Sequence, residues 1–304
     1  LGGIDAANAG DEAGPLSANI WFRAVTWLWV PVHAAMVFWA ASTAAGELTA
    51  LEAAGLAIST GVTAGTVGIT FAHELIHRPG RAERAMGEAL LSLTSYPHFA
   101  IEHVYGHHRH VATPHDPATA RLGESLYHFL PRCVYGSLRS AVDIEAHRLS
   151  KRGRHSAHWS NRFYRYAAVQ VALYAFAAAQ WGARGAVFVL AQAVAAFLLL
   201  ETINYIEHYG LMRAELAPGH YERVAPAHSW NSSHRVSNWL LINLARHSDH
   251  HLTAGKRYQV LDHRDDAPQL PAGYGAMFVA ALVPPIWRRL MDPRAAAARR
   301  ASRA

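Results

Sequence analysis

LEAAGLAISTGVTAGTVGITFAHELIH, residues 51–77, is the stretch that decides the fold. Its first part, 51–72, is apolar apart from Glu52 and several hydroxyl residues, and a membrane-spanning helix needs about 20 such residues. Glycine, alanine and threonine recur along it, and small residues let membrane helices approach closely. The stretch then runs directly into His73 and His77. It therefore predicts a helix inside a membrane bundle that delivers two histidines at its end.

Three other stretches are long and apolar enough to cross a bilayer, at 21–45, 164–181 and 185–205. The short sequence WGARG between the last two predicts a tight helical hairpin. About half of the residues, 51%, are hydrophobic and only 16% are charged, against roughly 25% charged in an ordinary soluble domain. We therefore predict an all-α integral membrane helical bundle with a cytoplasmic histidine-rich helical cap, forming a single domain over 1–304. Residues 293–304 are expected to be a frayed tail.

The long polar stretch 78–165 is rich in arginine, and the positive-inside rule places it in the cytoplasm. Two helices precede this stretch and two follow it, so parity returns all of the histidine-bearing segments to the same face. The formal charge of +6 comes with no nucleic-acid-binding motif, so we expect membrane lipid and no nucleic acid as a partner. The chain has one cysteine, Cys133, which excludes a cysteine-ligated iron–sulfur or zinc site built within it.

Histidines occur in four short packets, each near the end of a predicted helix: HELIH, EHVYGHH, NYIEHYG and RHSDHH. Neutral imidazole is a common ligand of iron, copper, nickel and zinc, and nine imidazoles exceed the four ligands of one closed site. The packets therefore predict a binuclear metal site. The nine candidate ligands are His73, His77, His103, His107, His108, His208, His247, His250 and His251.

The spacing inside the packets suggests how the ligands are shared. His73 and His77 are four residues apart, which places both on one face of a helix. His103 and His107 repeat that spacing, while His108 would point about 100° away toward a second metal. Carboxylates usually accept the second N–H of a ligating imidazole, and the candidates for that role are Glu74, Glu102, Glu207 and Asp249. A carboxylate that bridges two metals is the alternative. Neighbouring Asp116, Arg121 and Glu124 are expected to brace their loop.

The packets resemble the motifs of the membrane-bound alkane 1-monooxygenases, which lie within the broader desaturase-like class of integral-membrane di-iron enzymes. The motifs in question are HELIHR, EHVYGHHRHVATPHDPATARLGES, NYIEHYGL, HSWNSSHRVSN and RHSDHH, which match in order and spacing over about 21–293. NYIEHYGL is the part that separates alkane hydroxylases from plain desaturases. His115 and Arg78 are local departures that leave the ligand spacing intact.

This resemblance implies that the nine histidines bind two iron ions in a non-haem di-iron centre, with O2 as cosubstrate. It implies terminal hydroxylation of medium- or long-chain n-alkanes to 1-alkanols, with the alkane taken from the bilayer. Electrons would come from rubredoxin and its reductase, and no catalytic residue is expected beyond the metal centre. Members have six membrane helices, so two more are expected N-terminal to this sequence. The expected location is the bacterial inner membrane, multi-pass, with the active site on the cytoplasmic side.

Three other classes of protein stay open. HELIH alone is also the HExxH motif of zinc peptidases, in which Glu74 would be the base. A related membrane di-iron desaturase, decarboxylase or hydroxylase of another lipid would share the metals and differ in its product. A metal transporter would need polar residues through its spans, for which Arg23 and His33 are weak support.

Overall fold

The computed structural model describes residues 3–302, and most of these residues are helical. The helices are α1 (Ala13–Ala18), α2 (Ile20–Ala45), α3 (Ala50–Thr63), α4 (Ile69–Ile76), α5 (Arg81–Leu93), α6 (Phe99–Glu102), α7 (His108–His110), α8 (Leu126–Ser150), α9 (Arg162–His208), α10 (Arg235–Leu240), α11 (His247–Leu252), α12 (Tyr274–Ala281) and α13 (Pro284–Ala301). Strands β1 (Glu215–Ala217) and β2 (His220–Tyr221) pair antiparallel. The all-α prediction is confirmed.

The chain forms two compact units. The first contains the N-terminal residues through Asn19, the segment Gly106–Gly136 and the residues from Glu201 onward. Its core is aromatic and includes fully buried Trp230, Trp287 and Tyr205. The second unit contains Ile20–Tyr105 and Ser137–Leu200. It packs small and aliphatic side chains of α2, α3 and α9 together, as expected where membrane helices approach closely.

Three helical stretches of the described chain have the length and apolar composition to cross a membrane: Ile20–Ala45, Ala50–Ile76 and Arg162–His208. The second joins α3 and α4 through a π-helical turn at Ala64–Gly68. Its start is capped reciprocally, because Thr49 Oγ1 accepts a hydrogen bond from the Glu52 amide while the Glu52 carboxylate accepts one from the Thr49 amide. The length and apolar composition of these three stretches support the membrane character of the fold.

The hairpin predicted around WGARG appears as a sharp bend within α9. Gly182 has φ +63°, a left-handed conformation that favours glycine and interrupts the helix. On either side of the bend, Gln170 donates to the Ser92 carbonyl and Gln192 donates to the Leu93 carbonyl. Because these acceptors are neighbours, the two halves of α9 must run side by side. The two helices predicted on either side of WGARG are therefore present as the two halves of α9, joined at Gly182.

The C-terminal segment differs from the prediction of a frayed tail over 293–304. Helix α13 continues to Ala301. Trp287, Met291 and Ala295 on one face of it are fully buried, and their spacing of four residues keeps them on the same side of the helix. Burial of this face explains why the segment is helical as far as the structure describes it.

Gly61 marks a close contact between α3 and the second half of α9. A Cβ atom at this position would lie 2.5 Å from Ala195 Cβ and 2.6 Å from the Gln192 carbonyl oxygen. Gly61→Leu is therefore expected to lower stability by roughly 2 kcal/mol through overpacking, seen as a lower melting temperature in detergent. Gly55→Leu on the same helix is the control, since no atom lies within 4 Å of its Cβ position. Equal melting temperatures for the two variants would contradict this packing.

Buried Glu145 on α8 joins two segments of the second unit. Its carboxylate accepts hydrogen bonds from Arg148 Nε at 2.8 Å and from Arg162 Nε at 2.9 Å. Burial by itself would raise the pKa of this acid, but the hydrogen bonds from Arg148 and Arg162 outweigh burial and lower the pKa from 4.5 to about 2. Because the pKa is lower in the folded state, the carboxylate stabilises the fold above pH 4.5, and this contribution disappears as the pH falls toward 2.

Glu145→Gln is accordingly expected to destabilise the protein at pH 7 by about 2 kcal/mol, the scale of hydrogen bonds to a charged group. Melting temperatures measured between pH 7 and pH 3 should show the difference from the unaltered protein shrinking below pH 4.5. Asp143→Asn is a matched control, because Asp143 is exposed and 3.9 Å from Arg139, and such surface pairs contribute little. A difference that stays constant with pH would rule out the ionised carboxylate as the source.

Candidate metal centre

Four of the predicted ligands meet in one buried cluster of the first unit: His107, His208, His247 and His251. Their ligand nitrogens all lie within 4.8 Å of one another, and all four side chains are buried. The Nε2 atoms converge, with His251 Nε2 at 2.9 Å from His247 Nε2 and at 3.3 Å from His107 Nε2. His208 Nε2 lies 3.1 Å from His247 Nε2. We refer to this group as the four-histidine cluster.

The chemistry of the four-histidine cluster fits a metal ion. Four metal–nitrogen bonds of about 2.0–2.1 Å in a tetrahedron place the nitrogens roughly 3.3 Å apart, close to the separations of these Nε2 atoms. Burial first, and then the neighbouring imidazoles, lower the pKa of His251 well below its ordinary value. The ring is therefore neutral near pH 7, as a metal ligand must be. Converging imidazole lone pairs would repel one another, and a shared cation removes that repulsion.

Helix α11 supplies two members of the cluster, since His247 and His251 are one turn apart on it. The residue before the helix, Arg246, is buried and holds the segment in place. Its guanidinium donates to the Leu261 carbonyl and to the carbonyls of Asp5 and Ala7. A helix of only six residues is marginal alone, so these tertiary hydrogen bonds position the two imidazoles.

His208 reaches the cluster from the last turn of α9. The helix ends just after it, at Gly210, whose φ of +71° is left-handed. Trp230 of the HSWNSSH segment anchors this end, because its amide donates to the Glu207 carbonyl at 2.8 Å and its indole N–H donates to the Tyr209 carbonyl at 2.9 Å. The aromatic residue of that motif thus holds the backbone that carries His208.

Asp116, which was expected only to brace its loop, lies in contact with the predicted ligand His107. Its Oδ2 lies 3.0 Å from His107 Nδ1 and accepts a hydrogen bond from Thr119 Oγ1 at 2.6 Å, while Oδ1 accepts one from the Ala118 amide. Burial would raise the pKa of Asp116, but His107 and these hydrogen bonds hold it below its usual range. An ionised Asp116 keeps the proton of His107 on Nδ1 and so leaves Nε2 as the ligand atom. The one sequence feature that could have indicated this contact is the position of Asp116 shortly after the packet EHVYGHH.

The other five predicted ligands form a trio and a pair. In the second unit, the ring centroids of His73, His77 and His103 are 4.5 to 5.1 Å apart. In the first unit, His108 Nε2 lies 3.0 Å from His250 Nε2. His103 and His107 therefore do not act as the expected pair of one α-helical face. The segment His103–His107 is a π-helical turn, in which one turn contains more residues than in an α-helix. Residues four apart therefore no longer lie on the same face.

The four predicted acidic partners have different surroundings. Glu207 lies beside the four-histidine cluster, with Oε2 at 3.3 Å from His247 Nε2, and its Oε1 accepts a hydrogen bond from Tyr274 at 2.9 Å. Glu207 therefore faces the ligand nitrogen, where we expected an acceptor for the other ring nitrogen. Asp249 accepts hydrogen bonds from Lys256 Nζ and the Asp262 amide, so its carboxylate holds the loop after α11.

The remaining two acids, Glu74 and Glu102, are buried in the second unit. Glu74 Oε2 is 3.4 Å from Arg78 Nη2, and Arg78 Nε also donates to the Glu74 carbonyl. Glu102 Oε1 accepts a hydrogen bond from Ser140. The ion pair with Arg78 gives the Glu74 carboxylate a structural function in addition to its position next to His73.

Comparison with known proteins points to one group. The family model described as fatty acid desaturase matches residues 49–281. Alkane 1-monooxygenase 2 of Pseudomonas aeruginosa is 43% identical over 297 residues, covering 96% of this chain and 78% of the relative. Alkane 1-monooxygenase 1 of the same organism is 43% identical over 298 residues, covering 97% of this chain and 78% of that relative. Alkane 1-monooxygenase 2 of Alcanivorax borkumensis is 45% identical over 240 residues, covering 79% and 63% respectively.

Proposed function

This chain belongs to the alkane 1-monooxygenases of the fatty acid desaturase family, and on that premise we propose that it hydroxylates the terminal methyl group of n-alkanes with O2. The reaction converts an alkane, O2, two electrons and two protons into a 1-alkanol and water. We propose medium- or long-chain alkanes, which dissolve in the bilayer and can enter between the apolar helices.

The observation that carries the proposal is the convergence of four buried Nε2 atoms in the four-histidine cluster. We propose that this cluster holds one iron ion and that the nine predicted histidines hold two in all. Iron is preferred to zinc because oxidation of a C–H bond needs a redox metal, and Zn2+ has no redox chemistry. When bound, the iron pair would supply O2 activation.

In that reaction the side chains of this protein would orient the metal ligands and exclude water. Asp116 sets the ring orientation of His107 through Nδ1. Tyr274 holds the Glu207 carboxylate beside His247. An apolar channel would keep out water and hold the terminal methyl group in place. An alkane offers no group for hydrogen bonding. The position of the bound alkane and the shape of the channel should therefore determine which carbon is hydroxylated.

We propose rubredoxin, reduced by its reductase, as the electron donor, and the cytoplasmic face of the bacterial inner membrane as the location of the active site. The arginine-rich stretch 78–165 supports both proposals, through the positive-inside rule and through charge complementarity with an acidic carrier. When the salt concentration is raised from about 50 to about 300 mM, the apparent KM for reduced rubredoxin should rise several-fold. The reason is that screening by salt weakens the attraction between charged surfaces. A KM independent of ionic strength would refute docking by charge.

The proposed function is tested by metal analysis of the purified protein together with product identification from octane and dodecane. We expect two iron ions per chain and 1-octanol or 1-dodecanol as the product. An alkene or a shortened hydrocarbon would indicate a desaturase or a decarboxylase with the same ligands. One zinc ion per chain, with proteolysis that depends on Glu74, would indicate the peptidase alternative instead.

A further inference from the structure

A basic cavity in the second unit lies outside the four-histidine cluster. It has a volume of about 490 Å3 and opens between α5, the end of α8 and the start of α9. Its charged lining residues are Arg81, Arg84, Glu88, Arg148, Arg162 and Arg165. Five arginines against one carboxylate make this an unusual surface for a protein in which only 16% of residues are charged. We call it the arginine pocket.

Three of these arginines are held in fixed positions by carboxylates. Arg148 and Arg162 share the buried Glu145 carboxylate, which lies behind them. Arg165 is paired with Glu88, whose other oxygen accepts a hydrogen bond from Tyr166. A guanidinium has five N–H donors, so each anchored side chain retains donors that the carboxylate does not use. The anchored arginines are preorganised to bind a second anion.

Arg81 and Arg84 complete the pocket from the first turn of α5. Within residues 3–302, neither side chain forms an ion pair with a carboxylate. Counting Glu145 and Glu88 against the five arginines leaves a surplus of three positive charges in the wall. A bound anion would compensate this excess.

The arginine pocket also lies at the polar boundary of two membrane-spanning stretches. Ile76, the last residue of α4, and Arg162, the first residue of α9, both line it. Ala100 and Val104 add apolar surface to the same wall. The first turn of α5 adds a positive dipole end at this level, whereas the first amides of α9 already donate to Glu145 and Asn161. The pocket therefore combines cationic and apolar surface where lipid headgroups lie.

We propose that the arginine pocket binds the phosphodiester headgroup of an anionic phospholipid. Basic pockets between membrane helices on the cytoplasmic side have the chemistry for such headgroups, and arginine forks match the oxygens of a phosphate bidentately. The apolar wall distinguishes a lipid from free phosphate, because it can cover the glycerol end of the headgroup. A concave site of this volume admits a headgroup. The site requires no metal ion and is independent of the proposed hydroxylation.

The test measures lipid binding to the purified, metal-loaded protein in detergent by native mass spectrometry. The probes are dihexanoyl phosphatidylglycerol, dihexanoyl phosphatidylcholine and inorganic phosphate. Only phosphatidylglycerol is expected to bind saturably and to raise the melting temperature. Arg84→Gln should weaken its binding about fivefold, and the double variant Arg81→Gln/Arg84→Gln about twenty-five-fold, as expected for independent arginines near a lipid surface.

Arg152→Gln is the matched control, because it removes one positive charge from the same basic stretch at an exposed residue that does not line the pocket. It should bind phosphatidylglycerol as the unaltered protein does. Replacing Arg81 or Arg84 leaves no buried carboxylate without its partner. Circular dichroism should therefore show unchanged helicity for Arg84→Gln and for the double variant.

Three results would overturn the proposal. The first is equal affinity for phosphatidylglycerol and phosphatidylcholine, and the second is equal affinity for phosphatidylglycerol and inorganic phosphate, which would make this a free-anion site. The third is unchanged phosphatidylglycerol binding by the double variant. If that variant instead raised only the KM for the electron carrier, the pocket would belong to a protein partner.

Discussion

Replacing His247 by alanine is expected to remove about one iron ion per chain and to abolish most of the hydroxylation activity. His247 is central to the four-histidine cluster, because its Nε2 lies 2.9 Å from that of His251 and 3.1 Å from that of His208. Loss of a partner that only orients a ligand costs 10- to 100-fold in metal affinity or activity. Loss of a ligand should therefore lower the rate of 1-alkanol formation by more than about 100-fold.

The measurements for His247→Ala are iron content by mass spectrometry and the initial rate with octane. His220→Ala is the control, since His220 is an exposed residue of the β1–β2 hairpin. It should retain both iron ions and the full rate. If His247→Ala kept both as well, the four-histidine cluster would be a buried structural feature, and the proposed centre would be wrong.

Asp116→Asn is expected to have the second largest effect, although Asp116 touches no substrate in the proposed reaction. The aspartate carboxylate accepts from both His107 Nδ1 and Thr119 Oγ1. An amide at this position offers one acceptor oxygen and an NH2 group, so it can no longer hold the imidazole proton with the strength of a carboxylate. We expect a 10- to 100-fold weaker iron affinity or activity.

The experiment for Asp116→Asn is a competition between the protein and a calibrated chelator, with the melting temperature measured in parallel. Weaker iron binding at a nearly unchanged melting temperature would identify Asp116 as a positioning residue for His107. Asp249→Asn is the comparison, because Asp249 braces a loop through Lys256 and Asp262. It should lower the melting temperature and leave iron affinity intact. The reverse pattern in the two variants would exchange their roles.

Much of the fold follows from the order of residues along the chain. A backbone in lipid must satisfy its hydrogen bonds internally, so an apolar stretch such as 51–72 has to be helical wherever it crosses a membrane. That rule needs no knowledge of distant residues. The bend at WGARG was also readable, but the exact joint at Gly182 depends on which glycine adopts a positive φ. The continuation of α13 beyond Pro293 does not follow from the local sequence, because the partners of its buried face come from other parts of the chain.

Some features of the candidate site also follow from the sequence, whereas others depend on the tertiary structure. Sequence alone pointed to the nine histidines, to the i, i+4 relation of His73 and His77, and to a metal, since imidazole chemistry and helical spacing are local properties. Only the tertiary structure decided that His107 joins His251, 144 positions away, and that Asp116 is its partner. It also decided that Asp249 faces Lys256. Contacts of this kind are set by how distant segments pack and by one π-helical turn, and neither is encoded in the spacing of a single packet.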